Sequence, residues 1–480
     1  CYMSGSLLQL RNFGPGDTGL FSPDDMNLFY SKVPRCQNFA IEVIEQSLNH
    51  SSDYNETFST DITSGPDLLS SLYLEITLPS VSVKVQQGGI PCIARYIDNL
   101  GEFLIEYIEI SIAGQTIDRQ HGRFMHFWNA LTLSEAKRRI YNQMIGNVDI
   151  LCKPPNMSQT TLNYTFPEYK LVIPLTFWFC RHLESVIPLC SLRSVPVQIS
   201  GKMRNFDEIF ITSPNVSKIV NGKLNVRIMS ECIFLGTIEQ QFFLNNKLVY
   251  LIEQTQYNGD IHVLQNSTKN IPLNFSKAVK CILFAAQKSL YTRQKTLENT
   301  SGLYYNAINQ WSNFGICAYN NYNNPWVLDT STSETTYGNL INSAQIKIAG
   351  TDRTMDLDYN FYNKIQEFYH FLNSKNGICA YTFALNPMLL APSGSANFTR
   401  MNNVYLNLTL NDTILNYGTS GGNTTNPTPL SSIRGYIYNN NYSLSQYTPS
   451  SVTEYFDIYI YALSYNWLVF NNGVCTMSYA

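Results

Sequence analysis

The chain has 480 residues, of which 44% are apolar, 13% aromatic and only 14% charged, with a formal charge of −3. Charged residues make up about a quarter of an ordinary soluble chain, so the composition excludes a charge-driven disordered protein and argues for much surface held against partners. The near-neutral balance gives no field for gripping a polyanion, which speaks against direct nucleic-acid binding, and the length calls for two domains of about 200 to 250 residues if the class is β-sandwich.

Residues 1–29 contain GPGDTG and SPDD and read as an irregular N-terminal arm, in which Met3 followed by SGSLLQL makes a sensible natural start. No basic, then apolar, signal-peptide profile is present there, and no run along the chain reaches the ~18 to 20 apolar residues of a membrane span, so a soluble chain made in the host cytoplasm is expected. GPGDTG is not followed by G-K-[ST] and cannot cradle phosphate as a P-loop does. Over 72–85, Leu72, Leu74, Ile76 and Leu78 alternate with Tyr73, Glu75 and Thr77, and Val81, Val83 and Val85 resume after Pro79. That period of two predicts strands with one buried face, and it returns over 103–112, 404–410 and 456–461. Helical spacing is found at 122–129 and at 359–372, where Phe361, Ile365, Phe368 and Leu372 stand three or four apart; both helices are short and are expected in loops between strands. Strand-sized runs separated by Gly, Pro, Asn and Ser clusters indicate an all-β sandwich class.

The chain also repeats itself. VIEQSLN at 43–49 returns as LIEQTQYN at 251–258, an offset of 208 between Glu45 and Glu253, and ISIAGQTIDR at 110–119 returns as IKIAGTDR at 346–353, an offset of 236. Two echoes in the same order predict a duplicated domain, and the difference of 28 predicts a longer loop in the second copy. An Asn-, Tyr- and Ser-rich stretch at about 291–338 supplies it and is expected to be exposed. The expected organisation is an arm at 1–29, a first domain at 30–227 and a second at 228–480. Both repeats place Ala-Gly after an Ile-x-Ile strand end, where Gly can take the positive φ of a tight turn.

Residue patterns that could carry chemistry do not assemble into a site. The eleven cysteines are scattered without a C-x-x-C pair and read as buried thiols. GTSGG at 418–422 matches the nucleophile-elbow string, but Ser420 sits in a low-complexity loop with no helix after it. His121 and His126 are five apart and fall on different faces of a helix, so they cannot share a metal. Asp352, Asp356 and Asp358 lack the glycine of a calcium loop and suit a turn and a helix N-terminus. The basic cluster AKRRI at 136–140 reads as an ion-pairing edge. No catalytic, cofactor-binding or metal residue is assigned, and no enzyme activity or cofactor is expected. Among the N-x-[ST] sequons, Asn156, Asn299, Asn423 and Asn441 lie in long loops and are the candidates for glycosylation.

The ordered motifs resemble the major capsid proteins of the nucleocytoplasmic large DNA viruses, the double jelly-roll family. The resemblance runs nearly end to end: SGSLLQL, FYSKVPRCQNFAIEVIEQ at 29–46, LYLEITLP at 72–79, IEISIAGQTIDRQHG at 108–122, FWNALTLSEAKRRIYNQMIG at 127–146, IPLTFWFCRHLESVIPLCSL at 173–192, YLIEQTQYNG at 250–259, PSGSANFTRMNNVYLNLTL at 392–410 and the C-terminal YALSYNWLVFNNGVCTMSYA. The chain departs from the family at Cys36 and after Leu468, where Val469, Phe470 and Asn471 stand in place of a basic residue, Met and Gly. The resemblance implies two tandem antiparallel eight-stranded jelly-roll sandwiches and a structural protein of the virion, the outer shell of a large icosahedral double-stranded DNA virus. It also implies a homotrimer whose six rolls form a pseudo-hexagonal capsomer, with neighbouring capsomers, minor capsid and penton proteins as partners and an internal membrane beneath. A scaffold or minor capsid paralogue of the same fold is the alternative, and a glycan-binding β-sandwich is a third reading.

Overall fold

The computed structural model describes residues 38–49, 52–63, 65–85, 94–152, 163–192, 195–212, 216–264, 267–292, 309, 311–315, 339–401, 403–411, 455–471 and 473–478. The expected arm, Ser420, most of 291–338 and all four candidate glycosylation sites, Asn156, Asn299, Asn423 and Asn441, lie outside these residues.

Alternation of apolar and polar residues produces two sandwiches. The first is built from β1 (Phe39–Gln46), β2 (Thr57–Asp61), β3 (Leu68–Leu78), β4 (Ile105–Ile112), β5 (Gln115–His121), β6 (Tyr169–Pro174), β7 (Val197–Met203) and β8 (Asn225–Leu235). They form two antiparallel sheets, ordered β1-β8-β3-β6 and β2-β7-β4-β5. The second uses β9 (Leu248–Tyr257), β10 (Thr268–Pro272), β11 (Ala278–Lys288), β12 (Ile341–Ile348), β13 (Thr351–Asp352), β14 (Ile378–Thr382), β15 (Val404–Leu410) and β16 (Tyr455–Asn471). Its sheets are ordered β9-β16-β11-β14 and β10-β15-β12-β13. Adding eight to each strand number of the first sandwich gives the second. This is the jelly-roll topology, twice over.

The sequence repeats fall at matching places. Glu45 lies in β1 and Glu253 in β9, and both Ala-Gly pairs are two-residue turns, joining β4 to β5 and β12 to β13. Ala113 and Gly114 take φ of 57° and 75°, Ala349 and Gly350 take 50° and 82°, so alanine as well as glycine is left-handed, as a type I′ hairpin turn requires. In β3 the inward Leu72, Leu74, Ile76 and Leu78 are buried in the first core, while Tyr73, Glu75 and Thr77 face outward and are half-buried. Pro79 separates β3 from a further strand, Ser80–Val85.

Several expectations shift. Phe103 and Leu104 belong to a helical turn, Leu100–Leu104, because left-handed Asn99 closes a turn with its carbonyl accepting from the Glu102 and Phe103 N–H groups; the strand begins at Ile105. The expected division after Arg227 falls inside β8, whose Val226, Ile228 and Cys232 are part of the first core; the chain leaves that sandwich at Leu235 and enters helix α2 (Thr237–Asn245). Helix α1 (Gly122–Thr132) follows β5 directly. Its counterpart α3, a π-helical Phe361–Ile365 running into α-helical Gln366–His370, follows the β13 hairpin. The π turn inserts a residue and rotates the helix, so Tyr362, Asn363 and Glu367 are buried while Ile365, Phe368 and Leu372 of the apolar stripe are exposed. Among the described cysteines, Cys152, Cys190, Cys232, Cys281, Cys379 and Cys475 are buried and Cys180 is half-buried. The last long strand, β16, pairs on one edge with β9 and closes a hairpin with Val474–Met477, placing Phe470 5.4 Å from the Tyr250 ring.

Candidate functional site at the junction of the two rolls

A cluster of buried charge lies where the rolls meet. Strand β9 packs on β5 and on the Trp178–Arg181 turn, which brings the first roll's Arg181 and His182 to Glu253 at 3.1 and 3.4 Å. Lys280 of β11 pairs with the other oxygen of the same carboxylate. Burial would raise the Glu253 pKa, but Arg181, the hydrogen bond from His182 and Lys280 hold it down to about 2, so the group is an anion set between the Arg181 and Lys280 cations. Arg181 also stacks 4.6 Å over Trp128.

Around this centre the rolls are stitched by further polar contacts. Asp118 accepts from the Thr255 N–H at 2.8 Å and from Gln120 Nε2 at 2.8 Å; complete burial pushes its carboxyl up to about 6 against those bonds. Gln254 Nε2 donates to the Ile117 carbonyl. Arg123 lies 3.4 Å from the Tyr459 ring centre and donates to Gln287 Oε1 at 3.3 Å. Beneath them α1 lays Phe124, Phe127, Trp128 and Leu131 on the outer face of the second roll's sheet, against Leu283, Ala285, Ile378, Ala380, Tyr459 and Tyr461. Residues 309–315 were expected in an exposed loop, but their described part is wedged into this junction. Trp311 Nε1 donates to the Glu208 carbonyl at 2.8 Å, and Gln287 donates to the Trp311 and Asn313 carbonyls at 3.0 and 2.8 Å. A large aromatic ring with one polar atom suits such a seam.

The buried ion set can hold the two rolls together. Among the described residues of the site no nucleophile is hydrogen-bonded to a base. Elsewhere Ser289 Oγ and His262 Nδ1 both approach Asp457 Oδ1, at 2.6 and 2.5 Å, so the carboxylate stands between them and the hydroxyl is not delivered to the imidazole. Among the described residues no three His, Cys, Asp or Glu side chains gather to hold a metal ion, and no helix is long and apolar enough to cross a membrane. His121 lies on Tyr257 with its pKa lowered to about 4 by burial and by Arg123, whereas His126 bonds Glu102 at 2.6 Å, so the two imidazoles serve different clusters. Asp358 caps Phe361 N at 3.3 Å, Asp352 pairs with Lys347, and Arg138 of the basic cluster pairs with Glu135. Sequence reasoning found Glu253 only as a repeat marker. Its partners Arg181 and His182 stand about 70 positions away and carry no local signal.

Two family models cover most of the chain: the major capsid protein N-terminus matches residues 27–235, and the large eukaryotic DNA virus major capsid protein matches residues 239–444. The major capsid protein of Phaeocystis pouchetii virus is 29% identical over 85% of this chain and 94% of its own length, and that of Paramecium bursaria Chlorella virus 1 is 26% identical over the full length of both. Of solved structures, PBCV-1 VP54 superposes with a TM-score of 0.67 at 22% identity over 95% of this chain and all of its own. The Faustovirus major capsid protein superposes with a TM-score of 0.64 at 12% identity over 93% of each. The model boundary after residue 235 coincides with the end of β8. With two jelly rolls of one strand order, joined by a sealed junction, and with both halves matched in sequence, the chain belongs to the major capsid proteins of the large eukaryotic DNA viruses.

Proposed function

We propose that the chain acts architecturally, as a homotrimer whose six rolls surround one axis and whose pseudo-hexagonal outline tiles the shell of an icosahedral virion. The observation that carries this is the duplication of strand order within one chain: three copies offer six nearly alike corners. The charged junction supports it, because Arg181, Lys280 and Glu253 hold the rolls of each chain at a fixed relation, as a flat tile needs. Neighbouring trimers, minor capsid and penton proteins would meet the tile's edges and underside, with no nucleic acid bound directly and no reaction catalysed. Sedimentation of the purified protein tests the assembly: a species of three times 54.6 kDa is expected, and a strict monomer at micromolar concentration overturns it. Glycans at Asn156, Asn299, Asn423 and Asn441 belong to the same proposal, and peptide mass spectrometry that finds only the unmodified residues removes them.

A further inference from the structure

The contact between the two rolls is heterologous. The first roll contributes α1, β5 and the turn after β6; the second contributes its edge strand β9 and the outer face of the β9-β16-β11-β14 sheet. Because the rolls share one topology, each of these surfaces has a counterpart, and among the described residues no other element packs over the apolar side chains it exposes. On the second roll the counterpart of α1 is α3. Phe361, Ile365 and Phe368 stand 237 positions after Phe124, Trp128 and Leu131, one more than the 236 between the Ala-Gly turns, and the π turn supplies the extra residue. Where α1 buries its apolar side chains, α3 exposes Ile365 (46%), Phe368 (80%) and Tyr369 (72%). His370 Nδ1 lies 2.9 Å from the Leu385 carbonyl and ties α3 to the turn after β14, which exposes Leu385 and Leu389. On the first roll the counterpart of β9 is β1, an edge strand whose outward Phe39, Ile41 and Val43 are 42%, 53% and 46% exposed.

We propose that α3 and the 385–389 turn of one copy seat on the β1 edge and outer sheet face of the first roll of a second copy, repeating between chains the contact that α1 makes within one. This rests on the homotrimer reading and names its seam. A heterologous contact closes into a ring or runs on as a filament, and a chain that already makes one such contact internally carries the two ends of the next. The occupant is therefore another copy of this chain. The first roll's outer face is more polar than the second's, with Glu75 paired to Lys170 at 2.7 Å, as suits a surface that is wetted before chains meet.

Two exposed-site variants, Phe368→Glu on the helix and Ile41→Glu on the sheet, test the seam by sedimentation, with circular dichroism to verify folding. Each alone is expected to shift the trimer to 54.6 kDa monomers. Mixed together they are expected to form a two-chain species, since each supplies the intact surface the other lacks. If wild type is a trimer and both variants remain trimers, the seam is wrong and the homotrimer stands; a monomeric wild type overturns both. If glutamate prevents folding, Phe368→Ala and Ile41→Ala read the same seam as a roughly ten-fold or greater loss of association, and unchanged association overturns it.

Discussion

Glu45 and Glu253 begin as the same residue of a repeated strand and end in opposite surroundings. Glu45 projects from β1, its side chain 54% exposed, with Arg227 3.7 Å away; Glu253 projects from β9 with no exposure and Arg181, His182 and Lys280 about it. The sheets that carry them differ in the same sense. In β3 the outward residues are Tyr73, Glu75 and Thr77, whereas the outward residues of β11 are Cys281, Leu283 and Ala285, buried under α1. One fold was used twice, and its outer face became a second core wherever the other roll covered it. Burial, not position in the repeat, decides what a residue contributes.

The strongest way to break this comparison is to remove the anion from one side. Glu253→Ala leaves Arg181 and Lys280 buried without their counter-charge and is expected to cost about 3 to 5 kcal/mol in urea unfolding. Glu45→Ala is expected to cost under about 1 kcal/mol, and equal losses would refute the contrast. The helices give the same test in apolar form. Phe127→Ala empties a fully buried site on the inter-roll face and is expected to cost about 3 to 5 kcal/mol, while Phe368→Ala should leave the unfolding of an isolated chain within about 0.5 kcal/mol.

The pH dependence of the junction follows from its carboxyls. Asp118 has its pKa raised from 3.8 to about 6, so its protonated form favours the fold: that contribution is fully present below about 3.8 and is lost as pH rises through 6. Glu253, lowered from 4.5 to about 2, contributes stability above 4.5 that is lost as pH falls towards 2. Asp118→Asn is therefore expected to remove a decline of roughly 2 to 3 kcal/mol between pH 4 and 7, visible as a flatter plot of melting temperature against pH; an unchanged slope would assign the decline to other groups. The smallest effect should be shared by both rolls. Gly114→Ala and Gly350→Ala have open space for a Cβ but strained φ, and each is expected to cost about 1 kcal/mol. Unequal costs would mean that the two turns are not equivalent.

Much of the fold was legible because its signals are local. The alternation from Leu72 to Leu78 marked a half-buried strand, and the Ala-Gly pairs marked a tight turn in both copies, though not its type I′ geometry, which also makes the alanine left-handed. Resemblance carried the jelly-roll reading, since strand pairing such as β1 with β8 joins residues nearly 200 apart and leaves no periodic trace. The division after Arg227 failed because repeat spacing locates copies and not their edges, and β8 had to complete the first sheet. Residues 309–315 looked like loop because Asn, Trp, Ser and Gly lack alternation, yet Trp311 finds a buried partner at the Glu208 carbonyl. The stripe of Phe361, Ile365, Phe368 and Leu372 was a true helix signal that gave no direction, because an apolar face reads the same whether it meets its own core or another chain.

Local periodicity and self-similarity thus determined that this protein is a duplicated β-sandwich poor in charge, because side-chain period and turn chemistry are written in neighbouring residues. Only the tertiary structure decided which copy of each surface is covered. That depends on how two whole rolls dock, a relation among Glu253, Arg181, α1 and β9 that no short stretch of sequence contains.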